Sequence, residues 1–267
     1  MRVNLPRFTL SRMRRLILLL IAAMTATPCA AEDMATGFVY LRDVDPTILQ
    51  DMRYAGPGNF TGHAVPGYDA PECVLVRKAA EALKVVQAEV KAKGLSLKVY
   101  DCYRPARAVK AFVDWSKLPD DAKAKAIYYP ALPKSALFPD YIALVSGHSR
   151  GATMDLTLVP LDAEAVPPSP PSAAPMACTG AEGTRAPDTS LDMGTAFDCF
   201  DVKANTEVPG LPPEQRQNRE MLVDVMRRHG FKNYDKEWWH YTLENEPFPS
   251  TIFDFAIEPR ESSNDKK

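Results

Sequence analysis

Three things are scarce or missing in this sequence, and each absence narrows the reading. There is no Cys-x-x-Cys pair, so a cysteine-based zinc site has little footing. Neither sign of charge is in excess: 32 Lys and Arg stand against 34 Asp and Glu, a net charge of −2. Nothing in that balance calls for a nucleic-acid partner. Long apolar runs are missing too. The most apolar stretch, Leu16 to Met24, has about nine residues and is too short to span a bilayer. No internal repeat is visible. Histidine is also rare, with only His63, His148, His229 and His240.

What is present begins with Arg2, Arg7, Arg12, Arg14 and Arg15, followed by that short apolar run and then by small residues up to Ala31. This is the pattern of a secretory signal over residues 1–31, cut before Glu32; an uncleaved anchor is the alternative. An exported, periplasmic address follows as an expectation. The remaining 32–267 is long enough for one good core and marginal for two. It offers no further stretch for stable membrane insertion. Four cysteines remain: Cys73, Cys102, Cys178 and Cys199. An even count in an exported chain suggests two disulfides. Of the three pairings, Cys73–Cys102 with Cys178–Cys199 is favoured, because each pair brackets one compact segment. Free buried thiols are the alternative.

Periodicity sets out the elements. Phe38 to Leu41 reads as a strand. Arg77 to Lys93 reads as a helix, with Ala79, Leu83, Val86 and Val90 on one face and Gly94 as its stop. Leu95, Leu97 and Val99 alternate with Ser96, Lys98 and Tyr100, the period of a half-buried strand. A helix over Arg107 to Trp115 follows Pro105. Tyr141 to Val145 reads as a strand leading to His148, and Asp155 to Val159 as the next strand across a tight turn. Residues 160–190 hold prolines at 160, 167, 168, 170, 171, 175 and 187 and read as an irregular surface insertion. Glu214 to His229 reads as a helix with Met221, Leu222, Val225 and Met226 buried, Trp238 to Leu243 as a strand, and 258–267 as a polar tail. Helices and strands interleave without a regular βαβ series. The fold expected is α+β: a single domain with a largely antiparallel sheet packed by helices.

Chemistry concentrates in Ser146-Gly147-His148-Ser149-Arg150-Gly151-Ala152-Thr153-Met154-Asp155 and in Glu237-Trp238-Trp239-His240-Tyr241. These offer two imidazoles, one metal-binding carboxylate and a second carboxylate beside them. Two nitrogens and one oxygen suit a zinc ion with an open fourth position, where a water can lose its proton to a nearby Glu. The pattern points to a zinc hydrolase. Glu237 poses a condition: residues three apart on a strand face opposite ways, so it must sit in the preceding turn or at a bulge to join His240. Otherwise Trp238 and Trp239 are core aromatics and Glu237 is solvated. His229, before the glycine that ends a helix, suits the helix dipole. His63 lies in a Gly-rich loop and reads as surface.

The two segments resemble the paired Ser-x-His-x-x-Gly-x-Ala-x-Asp and Glu-x-x-His motifs of the VanX-type D-alanyl-D-alanine dipeptidases, a family of zinc D,D-peptidases. Further blocks that look like the family's are Asn59-Phe60-Thr61-Gly62, Asp101-Cys102-Tyr103-Arg104-Pro105, Asp155-Leu156-Thr157-Leu158 and Met193-Gly194 with Phe197-Asp198. The resemblance implies one Zn2+ per chain on His148, Asp155 and His240. It implies Glu237 as catalytic base, Arg104 as the partner of the transition-state oxyanion, and Asp198 as the carboxylate that holds the substrate ammonium. It also implies a small D,D-dipeptide as substrate. A D,D-carboxypeptidase acting on wall stem peptides is the alternative within the same chemistry, and a non-catalytic zinc-containing wall-binding module the alternative outside it.

The chain departs from the pattern at three points. Thr153 stands where the first motif has Ala, which implies a packing change only. Cys102 lies two residues from Arg104, so a disulfide there would brace the arginine, with reduction lowering activity more than zinc affinity. The insertion falls between Asp155 and His240, where it either covers the site or hangs free.

Overall fold

The fold was taken from a computed structural model, which describes Met1, residues 33–163 and residues 176–260. The leader expected at 1–31, the middle of the proline-rich segment (164–175) and the end of the tail (261–267) lie outside the described residues. The rest belongs to one unit, Ala31–Lys267.

Twelve elements in chain order build the architecture. They are β1 (Phe38–Tyr40), α1 (Leu41–Val44), β2 (Leu49–Gln50), β3 (Val74–Val76), α2 (Arg77–Lys91), β4 (Leu95–Asp101), α3 (Ala106–Ser116), α4 (Ala122–Tyr128), β5 (Thr153–Pro160), α5 (Pro213–Arg228), β6 (Phe231–Tyr234) and β7 (Glu237–Leu243). Five strands form the main sheet in the order β2-β4-β5-β7-β6. Only β2 and β4 run parallel; the other pairs are antiparallel. A separate antiparallel pair joins β1 to β3. The chain is thus the α+β single domain with a largely antiparallel sheet that its pattern suggested.

The helices follow from their apolar stripes. On α2, Ala79, Leu83, Val86 and Val90 are buried, and Gly94 adopts φ 76° two residues after Ala92 caps the helix, a backbone that costs glycine little. Pro213 opens α5, where a missing N–H is harmless, and Leu222, Val225 and Met226 are buried while Met221 is only half-buried. Burying such a stripe supplies most of a helix's stability in a protein.

Two expectations fail in the details. Tyr141 to Val145 is not a strand: the segment is irregular, and Leu144 and Val145 are 73% and 65% exposed. His148 therefore sits in a 3-10 turn, Gly147–Arg150, rather than at the end of a strand. The second failure is β4, expected to be half-buried. Ser96, Lys98 and Tyr100 are buried along with Leu97 and Val99. The reason is cover from other parts of the chain: the Gln87 amide of α2 donates to the Ser96 hydroxyl at 2.9 Å, while Asp188 of the proline-rich segment and Phe197 beyond it cover Lys98 and Tyr100. Asp188 pairs with the Lys98 ammonium and accepts from the Tyr100 hydroxyl at 2.9 Å, and Phe197 stacks on the Tyr100 ring at 4.5 Å. Long-range cover of this kind leaves no trace in local alternation. Residues 176–190 hold no helix or strand, and 181–187 are mostly exposed, but Asp188 and Ser190 hold the end of the segment to the sheet through Lys98, Tyr100 and Thr157.

Both favoured disulfides form, Cys73–Cys102 and Cys178–Cys199. Among the described residues no helix is long and apolar enough to cross a membrane.

Candidate active site

Strand register assembles the site. Asp101 on β4 lies opposite Asp155 on β5, and Asp155 lies opposite His240 on β7. Directly opposed residues of antiparallel strands share a face, so three chemistry-bearing side chains form a row across the sheet. His148 joins them from the 3-10 turn that leads into β5. That turn ends at Gly151 with φ 80°, where an added Cβ would lie 2.1 Å from the Phe38 ring. Both the backbone and the space require glycine there.

Glu237 meets its condition through a bulge. Asn233 pairs with Tyr241, but the next residue, Tyr234, pairs with Glu237, so β7 carries extra residues between the two pairings. The Asn233 side-chain amide donates to the carbonyls of both Glu237 and His240 at 3.0 Å, pinning the bulge at each end. Alternation is broken, and the Glu237 carboxylate comes within 3.4 Å of His240 Nδ1. Glu237 is the first residue of the strand rather than part of the preceding turn.

Three potential ligand atoms converge. His148 Nε2 lies 3.3 Å from His240 Nδ1 and 3.4 Å from Asp155 Oδ1, and His240 Nδ1 lies 3.1 Å from Asp155 Oδ1. Bonds of about 2.0–2.1 Å to a tetrahedral zinc would set ligand atoms roughly 3.3–3.4 Å apart. Two of the three separations match that edge, and the third, 3.1 Å between His240 Nδ1 and Asp155 Oδ1, falls just short of it. Asp155 Oδ1 is buried and takes no well-formed hydrogen bond, which is costly unless something else satisfies it. His148 Nδ1 lies 2.8 Å from the Cys102 carbonyl, which can only accept, so Nδ1 carries the proton and Nε2 turns its lone pair to the cluster. The donor set fits a divalent metal ion, and these are the residues that could hold it.

Charges around the cluster are heavily constrained. Burial opposes ionisation of Asp155, but the two imidazoles more than offset it and hold the carboxyl below its ordinary value. Burial lowers His240 below the usual imidazole range, keeping it neutral and able to ligate. Burial, with repulsion from Asp155 and Asp198, raises Glu237 well above an ordinary carboxyl, and Arg104 opposes this. Such a shift suits a proton acceptor poised nearer neutrality.

Arg104 is oriented by Asp101, which accepts from Nε at 2.9 Å and from Nη2 at 2.8 Å. Its Nη2 is 3.8 Å from Asp155, and its guanidinium lies over the Tyr54 and Phe112 rings at 5.2 and 5.0 Å. Burial works against its charge, and Asp101, Tyr54, Tyr68 and Asp155 together more than restore it. The other Asp101 oxygen accepts from the Tyr68 hydroxyl at 2.7 Å. Asp198 is buried, with φ 57°, and both its oxygens accept from the Tyr54 hydroxyl at 3.0 and 2.8 Å. Burial and Asp155 push it up to about 7. His148, Asp155, His240, Glu237, Arg104 and Asp198 all line one cavity of about 280 Å³. All six candidates from the sequence are therefore brought together.

Tyr54, Asp101 and Asn233 were not singled out beforehand. Asp101 had a signal, since it heads the block that contains Arg104. Asn233 lies on β6, and its amide reaches carbonyls that only the bulge brings into range. Tyr54 had none, being 144 residues from Asp198 in sequence.

The D-ala-D-ala dipeptidase profile of the M15 peptidases matches residues 34–166 and 183–258. The chain belongs to that family. It is a metallopeptidase, similar to three curated D-alanyl-D-alanine dipeptidases: 36% identical over 225 residues in Streptomyces coelicolor, 35% over 225 in Enterococcus faecalis and 33% over 226 in Enterococcus faecium. Each alignment spans 84% of this chain and 100% of the relative. The break in the family match, residues 167–182, falls within the proline-rich segment between Asp155 and His240. Thr153, where the family motif has Ala, is buried, and its hydroxyl shares a hydrogen bond of 2.9 Å with Thr242 across β5 and β7.

Proposed function

We infer that this protein hydrolyses the D-Ala-D-Ala dipeptide with a zinc ion held by His148, Asp155 and His240. The observation that carries the reading is the convergence of those three side chains beside a buried carboxylate and a buried guanidinium in one small cavity. The ion, when bound, supplies a Lewis acid and lowers the pKa of a ligated water toward about 7. The chain's own groups do the rest. Glu237 accepts the proton of the attacking water and then delivers it to the leaving amine, which departs neutral. Arg104, locked by Asp101, meets the negative charge that develops on the carbonyl oxygen. Asp198, held by Tyr54, pairs with the free ammonium of the dipeptide.

Size supports a dipeptide over a longer peptide. The cavity of about 280 Å³ lies just under the roughly 300–1,000 Å³ of ordinary ligand pockets. A site for stem peptides needs an open groove instead. Glu237 argues against a metal kept only for stability, because a structural site has no use for a base. Incubation with the free dipeptide and with a pentapeptide ending in D-Ala-D-Ala separates the readings. Cleavage of the dipeptide alone is expected; release of D-Ala from the pentapeptide alone would refute the dipeptidase reading.

The address and role follow from two features. The basic and apolar leader pattern and the two disulfides support export to an oxidising compartment, the periplasm. There the enzyme would serve salvage or turnover of wall peptides, since removal of a cytoplasmic precursor needs no export.

A further inference from the structure

The geometry points to separate tasks for the two disulfides: Cys73–Cys102 positions the metal-binding face, and Cys178–Cys199 positions the carboxylate that receives the substrate ammonium. The second half rests on the reading of Asp198 given above.

Cys73 and Cys102 are fully buried, and their bond ties the approach to β3 to the end of β4. Cys102 stands between Asp101 and Arg104 and does more than brace the arginine. Its carbonyl accepts from His148 Nδ1 at 2.8 Å, the contact that leaves Nε2 facing the cluster. The same few residues are held by backbone bonds on either side: Tyr103 N–H donates to Val74 O at 2.9 Å, and Arg104 N–H to His148 O at 3.3 Å. One covalent link thus restrains the Arg104 partner Asp101, Arg104 itself and the orientation of a metal ligand. Sequence proximity tied Cys102 to Arg104 alone, so activity was expected to fall more than zinc affinity. The contact with His148 makes metal affinity fall as well.

Cys199 follows Asp198, whose φ of 57° is a backbone that L residues with a side chain rarely adopt. Such a conformation persists only where its surroundings over-determine it. Its neighbours are packed, Phe197 on the Tyr100 and Trp239 rings and Phe200 on Phe60, and the disulfide adds the covalent restraint. Cys178 receives Cys199 through the disulfide, accepts from Ala196 N–H at 2.9 Å, and donates its own N–H to Ile127 O at 2.8 Å. Phe200 N–H donates to Tyr128 O at 2.8 Å. Residues 196–200 are thereby clamped to the end of α4. On the side-chain side, the Tyr54 hydroxyl holds the Asp198 carboxylate. Cys178 lies within the proline-rich segment, so the bond ties that segment to the residue beside Asp198.

The test removes each bond separately, as Cys73→Ala with Cys102→Ala and as Cys178→Ala with Cys199→Ala. Zinc affinity is read by competition with a chelator, and kcat and KM are read on D-Ala-D-Ala. Loss of Cys73–Cys102 is expected to weaken zinc binding about 10- to 100-fold, the usual cost of disturbing a ligand's outer partner, with kcat falling. Loss of Cys178–Cys199 is expected to raise KM on the order of 10-fold, as for a weakened charge-assisted contact, with zinc affinity unchanged. Equal effects from both pairs, or a lower melting temperature with unaltered kinetics and metal affinity, would overturn the inference. Asp198→Asn separates this from the underlying reading. An unchanged KM in that variant sinks the ammonium assignment. A raised KM there, beside an unchanged KM without Cys178–Cys199, sinks only the role of the disulfide. If a pair of substitutions prevents folding, the folded parent is treated with a phosphine reductant. The bond opened is identified by alkylation, and the same two quantities are read against it.

Discussion

Glu237→Gln is expected to keep its metal and lose turnover by about 100- to 10,000-fold, the usual contribution of a general base. The substitution keeps shape and hydrogen-bonding capacity but cannot accept a proton. Glu237 is not among the three converging ligand atoms, so metal content should match the parent. Its carboxyl is raised by burial and by Asp155 and Asp198. A carboxyl raised on folding costs stability once it ionises, so at neutral pH a neutral Gln relieves that cost in the metal-free protein. The metal-free variant should therefore melt at the same temperature as the parent or higher. Turnover and metal content measured on one preparation check the claim; parental turnover would remove Glu237 from the mechanism.

His148→Ala is expected to lose both metal and activity. His148 is 1% exposed and contributes one of the three converging nitrogens and oxygens. Its removal also leaves the Cys102 carbonyl without its partner and takes away the imidazole that most favours ionised Asp155. The loss of metal affinity should exceed the roughly 10- to 100-fold that follows disturbance of an outer partner. Metal content after dialysis and turnover on D-Ala-D-Ala are the readouts. A variant that retains stoichiometric metal would show that the ion is held elsewhere. Contrast between the two substitutions separates holding the ion from moving the proton.

Much of the site was legible because residue type, rather than shape, announces it. In a chain with four histidines, two stand in segments that also carry carboxylates. The strand argument was equally local: Glu237 and His240 could share a face only if alternation broke, and the β6–β7 bulge breaks it. What escaped was long-range. The Tyr54 hydroxyl meets Asp198 across 144 residues, and Asp188 covers Lys98 across 90; no periodicity encodes either contact. Tyr141 to Val145 misled because a short apolar run reads as a strand whether or not a partner strand exists. Leu144 and Val145 turn outward instead, Val145 at the edge of the cavity. The helices were the easiest to read, since apolar stripes and glycine or proline at their ends act within a turn or two of the chain.

Under the proposed function, a metal held by His148, Asp155 and His240 drives hydrolysis of D-Ala-D-Ala. The most direct measurement strips the purified protein with a chelator, follows D-Ala release from the dipeptide, and then titrates zinc back. Activity should vanish on stripping and return in full at one zinc per chain. Undiminished hydrolysis by the stripped protein would contradict the claim.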